Sequence, residues 1–74
     1  MKKYKNLSGK SGVVAYEPGT AFIKVKFIDG SVYTYTYKSA GQEITEKMKQ
    51  LAKAGKGLST YISQTVKDKF DKQA

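Results

Sequence analysis

Apolar and polar side chains alternate through the first half of the chain, and the period then lengthens to that of a helix. Val13-Val14-Ala15-Tyr16 is a short β-prone run, stopped at Glu17-Pro18-Gly19-Thr20, where Pro followed by Gly marks a turn. Residues 21–28 read as a second strand. Ile23, Val25 and Phe27 share one of its faces and Lys24 and Lys26 the other, because successive strand side chains point opposite ways. Asp29-Gly30 marks the next turn, and residues 31–37 form a third strand of strict alternation.

The hairpin at Asp29-Gly30 admits two registers, and a one-residue slip exchanges the faces. A two-residue loop sets Lys24 and Lys26 across from Tyr35 and Tyr33. A three-residue loop, Ile28-Asp29-Gly30, sets Val25 across from Tyr33, Ile23 from Tyr35 and Ala21 from Tyr37. The second gathers the apolar side chains on one face and Lys and Thr on the other, so burial selects it.

From Ser39 onward Ile44, Met48, Leu51 and Ala52 follow the stripe of a surface helix, with Ser39 and Gln42 as a weak capping box. Ala54-Gly55-Lys56-Gly57 ends it, and a second helix starts near Leu58, with Leu58, Ile62, Val66 and Phe70 as its apolar stripe and Ser59 or Thr60 as its cap. The order β-β-β-α-α predicts an α+β domain: a three-stranded antiparallel β-meander followed by two α-helices packed on one face. Residues 11–74 are its expected extent, and residues 1–10 read as a flexible basic arm.

Composition narrows the chemistry. All 14 basic residues are Lys; the chain has no Arg, His, Cys or Trp, 6 acidic residues and a formal charge of +8. Disulfides, Cys-ligated metals and His-based acid–base catalysis are excluded. The carboxylates are scattered over turns and helix faces, so the reading is a non-enzyme without metal or cofactor. No stretch is apolar enough to span a bilayer, and the basic start lacks the apolar core of a signal peptide, so a cytoplasmic setting and no membrane partner are expected. The charge points to polyanions. Without Arg, phosphate contact is favoured over base reading.

Gly55-Lys56-Gly57-Leu58-Ser59-Thr60 fails as a nucleotide-binding P-loop: Gln50 and Gly57 stand where Gly and Ser or Thr are required, and a helix precedes it. Two readings remain. Gly57, Ser59 and Thr60 at a helix start, with Lys53 and Lys56 beside them, could cradle one phosphate, or they form an ordinary helix–helix connection. Tyr33, Tyr35 and Tyr37 are either a base-stacking platform or core, with Tyr37 nearest the strand end and solvent. Lys24 and Lys26 lie on a sheet face that is either merely solvated or follows a phosphate backbone.

Tyr16-Glu17-Pro18, then Asp29-Gly30-Ser31-Val32-Tyr33-Thr34-Tyr35, then a helix ending near Lys53-Ala54-Gly55-Lys56-Gly57 resemble, in order and spacing, the KTSC domain. That family is named for its occurrence at the C-terminus of some lysyl-tRNA synthetases, and it also occurs as free-standing small bacterial or phage proteins. The resemblance covers roughly residues 12–70, with Tyr33 and Tyr35 matching the family's Tyr-x-Tyr, and it implies RNA binding. A departure lies at the end, where Lys67 stands in place of an Arg and the helix reads as one turn longer.

The leading expectation is a non-enzymatic binder of RNA or a nucleotide. In it Lys24, Lys26, Lys53, Lys56 and Lys67 meet phosphates, Gly57, Ser59 and Thr60 supply helix-end contacts, and Tyr35 or Tyr37 packs near a base or ribose. Two further classes fit the sequence. One is a phage-type inhibitor of a host protein, acting through Phe22, Ile28 or an open sheet edge. The other is a homo-oligomer that sequesters a nucleotide messenger, since a thin core and open edges favour self-association.

Overall fold

The computed structural model describes residues 1–7, 9 and 11–73. The fold is α+β: five antiparallel strands in sequential order, with the helices on one face. The strands are β1 (Lys2–Lys3), β2 (Val13–Pro18), β3 (Phe22–Phe27), β4 (Val32–Thr36) and β5 (Lys72–Gln73). The helices are α1 (Tyr37–Ala40), α2 (Gln42–Ala54) and α3 (Leu58–Tyr61), the last running on as a π-helix over Ile62–Val66. No helix among the described residues is long and apolar enough to cross a membrane.

The central hairpin takes the register that burial selects. Val25 pairs with Tyr33 and Ile23 with Tyr35, and Tyr37 donates its amide to the Ala21 carbonyl at 3.0 Å. The three-residue loop closes where Phe27 N–H donates to the Ser31 carbonyl at 2.8 Å and Gly30 N–H to the Phe27 carbonyl at 2.9 Å, with Gly30 at φ 91°. β2 carries a bulge at Val14, which turns that side chain out to solvent.

The meander gains a two-residue strand at each edge, and both lie outside the expected three. At the N-terminus, residues 2–4 are not a free arm. Lys2 pairs with Tyr16 and Lys3 with Ala15, Tyr4 is buried in the core, and Leu7 N–H donates to the Gly55 carbonyl at 2.8 Å. An aromatic side chain and a run of backbone groups find partners here, and these outweigh the basic character of the segment. Ser8 and Lys10 of the expected arm lie outside the described residues. At the other end β5 pairs Lys72 with Thr34 and Gln73 with Tyr33.

The helical half departs in its caps and its end. Thr36 is the N-cap of α1 and Ser39 its reciprocal partner, so Ser39 closes a capping box without starting one. Gly41 then separates α1 from α2. The core face of α2 is Thr45, Met48 and Ala52, and the Thr45 hydroxyl donates to the Thr36 carbonyl at 3.2 Å. Leu58, Ile62 and Val66 are buried as their spacing predicts, but the helix stops there. Lys67 turns the chain at φ 51°, ψ −116°, and the expected extra turn through Phe70 is instead a strap leading into β5.

Candidate nucleic-acid interface

The sheet has one covered and one open face. Paired residues of neighbouring strands share a face, so register alone places them. Ile23, Val25 and Tyr35 join Met48, Ala52, Leu58, Ile62 and Val66 in the core beneath the helices. On the open face one row runs Lys3, Ala15, Lys26, Val32, and the next Glu17, Lys24, Thr34, Lys72. Phe22, paired with Thr36, begins a third row, and the Lys24 ammonium lies 5.9 Å from its ring centroid. Strand geometry sets Lys24 and Lys26 about 7 Å apart and Lys24 and Lys72, two strands away, about 10 Å apart. Glu17, the carboxylate in these rows, is met by the terminal amine of Met1 at 3.9 Å.

The remaining candidates do not join this face. Tyr35 is 1% exposed, and burial, with Tyr33 nearby, pushes its hydroxyl up to about 12. It is a core residue, not a stacking platform. Tyr37 opens α1, and its hydroxyl donates to Glu46 Oε2 at 2.5 Å. Lys49 Nζ donates to the same oxygen at 2.7 Å and to the Thr20 carbonyl at 3.1 Å. The hydrogen bond to Glu46 raises the Tyr37 pKa, and those from Lys49 and then Tyr37 lower that of Glu46.

Lys53 and Lys56 are exposed at the end of α2 and in the turn after it, in the helical layer. Gly57 is the N-cap of α3, while Ser59 and Thr60 lie inside its first turn and make no cap. The Leu58 amide of that turn meets the Tyr4 hydroxyl at 3.4 Å, so a side chain of the protein already occupies the place proposed for a phosphate. Lys67 stands apart from both lysine pairs, at the end of the π-helix.

Lys67 borders a cleft of about 460 Å³. Its walls are the hairpin tip, with Phe27 and Asp29, the covered-face residues Tyr33 and Tyr35, and the strap carrying Asp68 and Phe70. The rings pack edge to face, Tyr33 to Phe70 at 4.8 Å and Phe27 to Tyr33 at 5.5 Å between centroids. Ile28, at the tip, is 79% exposed. The Ser31 amide donates to Asp29 Oδ1 at 2.9 Å and lowers the pKa of that carboxyl.

Lys3, Lys72 and Phe22 escaped the sequence reading as parts of this face. For Phe22 the signal was present, since it shares parity with Lys24 and Lys26. Lys3 and Lys72 sit on strands too short to show alternation. The cleft gathers separate segments that carry no common motif. Comparison with protein-family models, with curated proteins and with solved structures finds no match to this chain.

Proposed function

We propose that the chain is a non-catalytic binding module for RNA, which holds the phosphate backbone against the open face of the sheet. The observation that carries this reading is the gathering of Lys3, Lys24, Lys26 and Lys72 on the face the helices leave bare. Ammonium groups on a regular lattice neutralise successive phosphates and contribute affinity without base specificity. The exposed part of Phe22 offers a ring against which a base can stack. The resemblance to the KTSC domain points the same way, and a cytoplasmic setting follows from the ligand.

Salt dependence tests the proposal. Four lysines on a single strand give a slope of log affinity against log salt of about −2.8, or about a 50-fold loss between 50 and 200 mM salt. Lys24→Gln with Lys26→Gln should bring the slope to about −1.4. Lys38→Gln with Lys47→Gln removes equal charge from exposed helical positions and should change it much less. Fluorescence anisotropy of a labelled 12-nucleotide RNA reads both. A flat salt dependence, or equal effects from the two pairs, overturns the reading.

A further inference from the structure

The cleft has a chemistry different from that of the open face. Its walls are aromatic, and its volume of about 460 Å³ falls within the range of small-molecule sites, about 300–1,000 Å³. Its charged groups are two carboxylates, Asp29 and Asp68, against one ammonium, Lys67. A phosphate placed inside would meet more repulsion than attraction. A flat, neutral ring with amino groups at its edge would stack on the walls and donate to the carboxylates.

Tyr35 adds a second constraint. It is almost wholly buried, and among the described residues no buried side-chain polar atom is left unpaired. Lining the cleft from the core, it gives the site an aromatic wall that packing holds in place. The backbone also bends to build this wall. The π-helix and the positive φ of Lys67 bring Lys67, Asp68 and Phe70 to the cleft, and such distortions concentrate at working sites.

We propose that the cleft receives one unstacked nucleobase bearing an exocyclic amino group, from the strand whose phosphates lie on the open face. This rests on the RNA reading. The two sites are joined by the strap: Lys72, in the open-face row, follows Asp68 by four residues, on the strand that borders Tyr33. A carboxylate accepts readily from a base amino group. Cytosine, adenine and guanine carry one, whereas uracil has only its N3–H to donate and flanks it with two carbonyl oxygens, which Asp29 and Asp68 repel. The cleft therefore discriminates against uracil.

Free nucleosides separate the two sites, since they carry no phosphate. In isotope-edited NMR titrations of the full chain, cytidine should shift resonances of Tyr33, Tyr35 and Phe70, with uridine about tenfold weaker. Octanucleotides of cytidine should outbind those of uridine by a similar factor. Asp68→Asn, at an exposed position, should bring the difference below about threefold while the salt slope holds. Phe70→Leu should weaken both nucleosides.

Equal binding of the two octanucleotides with a steep salt slope, and no cytidine shift in the cleft, overturns the cleft assignment and leaves the backbone reading standing. Cytidine in the cleft with a flat salt dependence for the octanucleotides overturns the backbone reading, and with it the claim that the base comes from a bound strand.

Discussion

On β3, Ile23 and Val25 are fully buried, while Lys24 and Lys26, interleaved with them, stand on the open face. The two faces share backbone, strand order and hydrogen bonds, and differ only in what the alternation places on each. The covered face is closed by helices and by the N-terminal segment, and two polar groups there find internal partners: the Thr45 hydroxyl donates to the Thr36 carbonyl, and the Tyr4 hydroxyl accepts from the Leu58 amide. The open face is lined with ammonium groups. In a chain this small, one face supplies stability and the other is left open.

The largest test of that division exchanges the faces at adjacent positions. Val25→Lys buries an unpaired ammonium, a loss of about 3–5 kcal/mol. At roughly 0.05–0.15 kcal/mol per residue, that is a large share of the stability such a domain holds. Lys26→Gln on the open face should stay within about 0.5 kcal/mol. Urea denaturation followed by circular dichroism reads both, and similar midpoints for the two variants would mean that the faces are not distinct.

A second pair probes how the N-terminal segment closes the covered side. Gly55 and Gly30 both hold left-handed backbone, at φ 80° and 91°. A Cβ on Gly30 meets nothing within 4 Å, whereas one on Gly55 would lie 2.6 Å from the Lys5 Cβ. Gly30→Ala should cost about 1–2 kcal/mol for the backbone alone. Gly55→Ala should cost about 1 kcal/mol more, as expected of overpacking, and Lys5→Gly should recover the excess. Equal costs would show that residues 5–7 are not docked against the α2–α3 turn.

The first test falls where the sequence was easiest to read and the second where it was hardest. The hairpin was legible because its strands alternate without error and Asp29-Gly30 fixes a loop whose register only burial has to choose. The docking of Tyr4 was not, because one aromatic residue among lysines shows no period and its partner, the Leu58 amide, is 54 residues away. The stripe Leu58, Ile62, Val66 gave a helix, but Phe70 continued the stripe only in sequence, since the π-helix and Lys67 redirect the chain. The candidate site divides the same way. Parity placed Lys24 and Lys26 on one face, while Lys53 and Lys56 were placed beside the helix start at Gly57 and Lys67 was added by charge, and folding assigns these three to other parts of the molecule.

The smallest effect concerns a lysine that the fold has already used. Lys49 is held by Glu46 Oε2 and the Thr20 carbonyl, and the Tyr37 hydroxyl donates to the same Glu46 oxygen. Hydrogen bonds from Lys49 and then Tyr37 hold the Glu46 carboxyl below its ordinary value of 4.5. A depressed carboxylate stabilises the fold above its unfolded value, and that contribution is lost as pH falls through the lower, folded one. The Tyr37 hydroxyl is shifted the other way, above 10.0, chiefly by its hydrogen bond to Glu46. Its contribution is present below that value and lost as pH rises through the raised one. Glu46→Gln should therefore lower the urea midpoint slightly at pH 7, and the gap from the unsubstituted chain should close both in acid and in strong alkali. Because the group is only partly buried, the gap should also shrink at about 1 M salt, where charge interactions are screened within about 3 Å. A gap independent of pH and salt would mean that Glu46 acts through packing, and Lys49 would then be no more committed than the lysines of the open face.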